Sequence, residues 1–447
     1  MPSRRDALGL CGGALLGLTG CVGPEDGRTG TVATDDGTDG SGGSDGDPGT
    51  ADRDTDSPEP RTGIDVDGGS LAWERSLGDD LVSEPAFVDG TVAVAVGTDV
   101  VGLDAATGET AWTFETAVSL DGEYRYGRPT ADLRVHDGTL YALVGISVGT
   151  GAHDHVLHAL TADGDERWRF GTGVAGFHSL LGFGDGAVVV GTNDDAISDE
   201  PDHAVFAIET GDGSSRWTAE SGDAMGGTVA DGVALVEADT AVDCFDLETG
   251  ERRFRSEAPN DARVTATAAG DGRAVLVFDR YDPEPDQPTT AAVSTADGSA
   301  EWDLAGEVVT SVRYLDDCYV GGERVARLGP DGAERWSYDG GGLIHDVPFD
   351  ADGLYTNPDS RVVSLDRDSG TERWTAEATD LAIPLARAGD AVVSSDGDAR
   401  TVFAHATDDG TELWRATLPG GYPPDPAAGP DGAYVATTEG GVGRIGF

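Results

Sequence analysis

Nine glycines recurring along this chain at repeat spacing are each followed four residues later by an aromatic, and the nine pairs use all eight tryptophans and one phenylalanine. The pairs are Gly69/Trp73, Gly108/Trp112, Gly164/Trp168, Gly213/Trp217, Gly250/Phe254, Gly298/Trp302, Gly332/Trp336, Gly370/Trp374 and Gly410/Trp414. Their spacing of about 35 to 55 residues is the period of propeller blades rather than of helical solenoids. Between consecutive pairs the apolar residues alternate. After Trp73, a first run near 83–88 leads through Asp89-Gly90 to Thr91-Val92-Ala93-Val94-Ala95-Val96, then to Val100-Val101-Gly102-Leu103, then to Thr110-Ala111-Trp112. Period-2 runs broken by Gly and Asp turns are antiparallel hairpins, and four such strands make one blade. The glycine suits a tight turn that requires positive φ, and the tryptophan supplies a flat apolar face where one blade meets the next.

The two ends complement each other. The chain finishes on 442–447, which reads as a third strand with no fourth strand after it. Residues 71–75, Leu-Ala-Trp-Glu-Arg, form a fourth strand with no blade before it. The expected fold is therefore all-β: a closed propeller of four-stranded antiparallel blades, with the last blade completed by the N-terminal strand, so that no sheet edge is left at the joint. A literal tally of fourth strands gives nine blades.

Composition places this body in an unusual setting. The chain carries 83 acidic and 29 basic residues, a net charge of -54, and every basic residue is arginine. Such self-repulsion opposes folding in dilute buffer, but in molar salt the Debye length falls to about 3 Å and the repulsion is screened. The expectation is a protein of a salt-loving organism. The same field disfavours nucleic acid as a partner.

The first 68 residues divide in two. Arg4 and Arg5 precede a short apolar run over 7–19 that ends in Leu18-Thr19-Gly20-Cys21. The run is too short for a stable membrane span. Paired arginines are similar to a twin-arginine export signal, and Leu-Thr-Gly-Cys resembles a lipobox, which makes Cys21 the lipid-attachment residue. Residues 1–20 are thus expected to be an export signal and 21–68 a lipid-attached, disordered acidic linker, too poor in apolar residues to bury a core. The propeller follows over 69–447. The expected location is the outer face of the cytoplasmic membrane.

The segment 102–112, Gly-Leu-Asp-Ala-Ala-Thr-Gly-Glu-Thr-Ala-Trp, and its counterpart 364–374, Ser-Leu-Asp-Arg-Asp-Ser-Gly-Thr-Glu-Arg-Trp, resemble the repeat of the pyrroloquinoline-quinone propeller superfamily. The similarity runs over 71–447. It implies eight blades, against the nine of the tally. Functionally it admits two classes: quinone-dependent alcohol or sugar dehydrogenases, and lipoproteins that scaffold envelope assembly, here of a haloarchaeal type.

The enzyme class asks for a catalytic carboxylate, a calcium ion held by carboxylate and amide oxygens, and in many members an adjacent-cysteine disulfide. This chain has no Cys-Cys pair, no Cys-x-x-Cys-His haem motif and three asparagines. Cys244 and Cys318 fall in different repeats, Cys244 where other repeats place Gly102, Ala207, Ser364 or Ala404, and read as small buried residues. His153, His155 and His158 invite a metal reading, but no fourth ligand is evident. No cofactor or metal is therefore expected, with a quinone and calcium as the alternative. Four longer segments, 117–128, 146–156, 193–203 and 279–288, occupy links that would gather on one side of the disc. The expected role is a monomeric, non-catalytic, membrane-tethered binding or scaffold module, meeting a protein or envelope partner on that loop-rich face. A carbohydrate-binding propeller is the other non-enzymatic alternative.

Overall fold

A computed structural model of the chain describes residues 63–446 apart from 79–82, 117–127, 149–150, 174–177, 194–203, 225, 280–283, 341–352, 359, 379–382, 397–399 and 421–424. Its strands form nine antiparallel sheets. In blade 1 the strands Ala86–Val88, Thr91–Val96, Asp99–Asp104 and Thr110–Phe114 succeed one another from the centre outward. The same order repeats in blades 2 to 6, which span 128–171, 178–220, 226–257, 264–305 and 309–338. Blade 7 shows three strands among the described residues, over 354–377, blade 8 spans 383–417, and blade 9 opens at 427. The count is nine, so the eight blades implied by the superfamily resemblance do not hold. No repeat is short enough to drop out, because even the unit ending at Trp336 pairs four full strands.

The ends join as their sequences require. Ser70–Ser76 pairs with Gly441–Gly446, from Ser70 opposite Gly446 to Ser76 opposite Gly441, and becomes the outer strand of blade 9. A second contribution has no sequence signal. Asp65–Asp67, inside the segment read as linker, adds a fifth strand to the rim of blade 8 by pairing with Arg415, Ala416 and Thr417. Ile64, just before it, is buried against Trp414, Ala416 and Leu418. Ile64 and Val66, alternating with aspartates, are too short a pattern to stand out from the linker, so the folded body starts a few residues earlier than composition suggests.

The glycine and aromatic pairs prove to be two halves of different contacts. Each glycine lies against the aromatic of the preceding blade: Gly108 on Trp73, Gly164 on Trp112, Gly213 on Trp168, Gly250 on Trp217, Gly298 on Phe254, Gly332 on Trp302, Gly370 on Trp336, Gly410 on Trp374, and Gly69 on Trp414. The series closes on itself. A Cβ on Gly108 would stand 2.5 Å from the Trp73 ring, and Gly108 also has φ 70°, so side-chain size and backbone conformation both demand glycine there. The indole then donates a hydrogen bond across the seam: Trp73 Nε1 to Ala105 O at 3.0 Å, Trp168 to Thr210 O at 2.9 Å, Trp217 to Leu247 O at 2.9 Å, Trp374 to Thr407 O at 2.8 Å. Trp302 lacks this bond, its Nε1 being buried without a partner.

Three of the turns that meet these aromatics are preassembled by an aspartate of their own. Asp104 Oδ1 accepts from the backbone N–H groups of Ala106 and Thr107 and from the Thr107 hydroxyl. Asp246 and Asp366 repeat the arrangement. The Arg253 guanidinium, helped by the turn N–H and hydroxyl of Thr249, holds the Asp246 carboxyl down at about 2.

Two outcomes test this closure. Gly410→Ala forces a left-handed alanine against Trp374 and is expected to cost about 2–4 kcal/mol, read as a lower melting temperature in high salt. Removing residues 442–447 strips the partner of Ser70–Ser76 and is expected to lower it by many degrees; an unchanged melting curve would show that the ring does not depend on this joint.

Candidate functional site at the channel mouth

In a four-stranded up-and-down blade the first-to-second and third-to-fourth links emerge on one face, and the second-to-third and blade-to-blade links on the other. The described links of the first face are turns of two to six residues. Five are Asp-Gly pairs with both residues at positive φ, beginning with Asp89 at 43° and Gly90 at 87°, the hairpin turn that such pairs favour. The other face carries the long links: 13 residues separate Phe114 from Arg128 and 11 separate Thr192 from Ala204.

Of the four segments expected to line that face, 117–127 and 194–203 lie outside the described residues. Segment 146–156 is not a loop. Thr139–Val148 and Gly151–Leu160 are ten-residue strands whose ladder continues to Val148 opposite Gly151, so this insertion lengthens a hairpin. In 279–288 the described part is a tight turn, with Gln287 N–H donating to Glu284 O at 2.9 Å and Glu284 N–H to Gln287 Oε1 at 3.1 Å.

The innermost strands begin at this face, and three adjoining blades present carboxylates there. Glu84 and Asp132 stand at the same level, each five residues before the Asp of its blade's first turn, Asp89 and Asp137. Asp425, ahead of Ala427–Gly429, brings the third from blade 9. Packing of the surrounding protein pushes the Glu84 carboxyl up to about 7, with Asp425 and Asp132 adding to the rise and Arg134 opposing it. Glu84 keeps solvent contact, so screening trims the effect. Arg134 is spent on Asp132, at 3.2 Å. The corresponding level on blades 3 to 6 carries Leu180, Gly226, Ala266 and Ser311. The mouth is therefore acidic on one arc and small or apolar on the other. Counting back five residues from Asp89 and Asp137 picks out Glu84 and Asp132 but not Asp425, and only the fold shows that the three share one arc.

The other residues singled out earlier fall as follows. Arg4, Arg5 and Cys21 lie outside the described residues. Cys244 and Cys318 are free, buried thiols, each pushed up to about 12 chiefly by burial, and Cys244 faces Phe254 where six other blades place a small residue opposite tryptophan, such as Gly102 or Ala207. The histidines do not converge. His155 stacks on His178 at 4.2 Å with rings 21° apart, which aims their in-plane lone pairs side by side rather than at one point. His158 is fully buried with Nδ1 2.8 Å from Glu166 Oε1. The backbone of His153 pairs with Ile146.

A histidine that the sequence reading passed over is more unusual. His405 occupies the third-strand position held by Leu103, Ile208, Phe245 and Leu365 in other blades. It is fully buried 6.5 Å from the Trp374 ring, and neither ring nitrogen has a hydrogen-bond partner. Asn357 Oδ1, Ser364 Oγ and Ser394 Oγ, also on blades 7 and 8, are buried unpaired too. Among the described residues the apolar cluster of this seam joins Tyr355, Val362, Trp374, Val392 and Phe403.

Eight of the nine ring aromatics are tryptophans committed to blade seams, and among the described residues no three His, Cys, Asp or Glu side chains gather as a metal-ligand set.

A family model described as the outer membrane protein assembly factor BamB, of the PQQ-type repeat, matches residues 61–151, 152–312 and 321–445. The chain belongs to this BamB-like family of propellers. No curated protein matches it. Among solved structures, the designed protein Ika8 shares 17% identity at a TM-score of 0.50, over 77% of this chain and 98% of that one. BamB from Moraxella catarrhalis shares 16% identity at a TM-score of 0.49, over 85% and 100%. The first likeness extends to the fold alone.

Burial holds the His405 imidazole below its ordinary value, with Glu412 opposing and Arg415 adding. The unfolded chain therefore binds a proton that the folded chain refuses, and stability is lost as pH falls below about 6.5. His405→Leu restores the residue type of the other blades. It is expected to raise the melting temperature at pH 5 by more than at pH 8; equal shifts at both pH values would refute the buried neutral imidazole.

Proposed function

We propose that this propeller is a non-catalytic binding or scaffold module of the cell envelope, presented on an N-terminal tether whose lipid is carried by Cys21 at the outer face of the cytoplasmic membrane. The observation that carries the reading is the asymmetry of the disc. The described turn-face links span two to six residues, whereas the opposite face carries links of up to 13. Loops on a rigid scaffold are where recognition resides, and a ring whose tryptophans are consumed by blade contacts has its variable chemistry there.

Kinship with a family described as an assembly factor supports a scaffold role over catalysis. The acidic arc of Glu84, Asp132 and Asp425 at the mouth favours a partner with a basic segment, and a chain of net charge -54 repels polyanions. The lysine-free composition fits work in high salt, where such a contact relies on close pairing because long-range attraction is screened.

Two experiments bear on this. Cys21→Ser is expected to move the protein from the membrane fraction to the external medium, and replacing Arg4 and Arg5 by lysine to leave it inside the cell; membrane retention of the serine variant would remove the lipid tether. For binding, cross-linking at native salt is expected to recover a defined partner with the wild type. The double change Glu84→Gln and Asp132→Asn should lower recovery about tenfold, as loss of desolvated charge pairs does, while Asp185→Asn on the turn face leaves it unchanged. Equal loss with both variants would disconnect the channel mouth from binding.

A further inference from the structure

The seam between blades 4 and 5 holds an extensive apolar cluster, built from side chains such as Leu235, Val242, Phe254 and Leu276. One carboxyl interrupts it. Glu237 is 6% exposed and sits near the loop-face end of the second strand of blade 4, Val233–Ala238, on the side that faces blade 5. Other blades place Ala95, Val277, Gly191 or Gly322 at this level, counting from the first turn.

Its neighbours are arranged around the acid. The Thr267 hydroxyl, on the innermost strand of blade 5, donates to Glu237 Oε1 at 2.9 Å. Thr228, on the innermost strand of blade 4, donates to Thr267 O at 2.7 Å, and the two hydroxyls are 3.1 Å apart. A Cβ on Gly226 would lie 2.6 Å from Glu237 Oε2, so the carboxyl fills the space that glycine leaves on the inner strand opposite it. The carboxyl thus ties the second strand of blade 4 to the inner strand of blade 5 through Thr267, while Thr228 joins the two inner strands beside it.

No described cation reaches it. The third strand of blade 4 turns Cys244 to the same side, a thiol held protonated by burial, and Asp243 to the other, where Arg252 and Arg255 pair with it. Arg263 and Asp239, near the start of the blade 5 inner strand, pair with each other at 3.0 Å. The inner strands Gly226–Ala230 and Val264–Gly270 contribute no titratable side chain, and Arg273, on the next strand, is engaged by Glu301. A carboxylate buried with hydroxyl partners and no cation is costly, and protonation relieves that cost.

We propose that Glu237 is held in the folded ring as a neutral carboxylic acid and acts as a proton-controlled latch between blades 4 and 5. Protonated, it accepts from Thr267 beside the Thr228–Thr267 bond that joins the inner strands. Ionised, it places an unpaired charge in an apolar seam and loosens the two blades from each other. Burial, opposed by the Thr267 hydroxyl, pushes the group from 4.5 up to about 7. A raised carboxyl is stabilising below the unfolded value and loses that contribution as pH rises through the folded one. The window is therefore about pH 4.5 to 7, where the folding equilibrium constant falls on the order of 100-fold.

The test uses the whole protein in constant molar salt. The difference in melting temperature between Glu237→Gln and wild type is expected to be near zero at pH 4.5 and to grow to a plateau by pH 8, the variant being the more stable. Taking the difference cancels the parallel titration of Glu84 and the opposite one of the histidines. Infrared spectra at pH 6 in a Glu84→Gln background should show a protonated-carboxyl band that the further change Glu237→Gln removes. Thr267→Val, which removes the donor to the ionised form, should move the loss of that band to higher pH. A pH-independent melting difference, or a band at pH 6 unchanged by Glu237→Gln, would overturn the latch; were the Glu237→Gln variant not to fold, the band in the Glu84→Gln background and its shift in Thr267→Val decide the matter.

Discussion

The ring depends on one contact made nine times: an aromatic ring laid under the glycine of the next blade. An aromatic side chain contributes its large burial only if a neighbour can approach closely, and glycine is the residue that lets backbone meet ring without an intervening Cβ. The indole N–H turns the same contact into an oriented one by reaching a turn carbonyl such as Ala105 O. Flat burial sets the distance between blades and the hydrogen bond sets their rotation. Because Gly69 receives Trp414 and Trp73 underlies Gly108, the series has no beginning, and the blade that joins the termini is held by the same interaction as every other.

Charge is managed around that frame. With 29 arginines for 83 acidic residues, single guanidiniums serve several carboxylates. Arg327 contacts Asp316, Asp317 and Asp368, and the fully buried Asp243 draws on both Arg252 and Arg255. Exposed pairs of this kind contribute little individually. The buried carboxylates differ, since removing their arginine would leave an unpaired charge. Glu237 is the opposite solution to the same problem, a buried carboxyl supported by hydroxyls instead of a cation.

The seams are accordingly unequal. Between blades 4 and 5 an extensive apolar cluster carries one titratable group, whereas the described residues of blades 7 and 8 include the buried His405, Ser394 and Asn357 lacking hydrogen-bond partners. A ring of repeats transmits load only through neighbours, so protons that act on two seams in opposite senses tune the disc locally. Acid weakens the seam at His405 and strengthens the one at Glu237.

Architecture and closure were legible in the sequence because they arise from periodic, local patterning: alternation for strands, Asp-Gly for turns, a recurrent glycine and aromatic for the seam, and a lone fourth strand at one end matching a missing one at the other. Those patterns also placed Cys244 among small residues opposite an aromatic. Three things needed the tertiary structure. That each aromatic pairs with the following glycine, not its own, is a relation between blades far apart in sequence. That Asp65–Asp67 joins blade 8 rests on an edge strand accepting backbone hydrogen bonds, which requires no side-chain pattern to announce it. And in a chain with 83 acidic residues, the three that share the channel mouth and the one buried in a seam are distinguished only by what surrounds them, because ionisation is decided by burial and neighbours, which the order of residues does not by itself display.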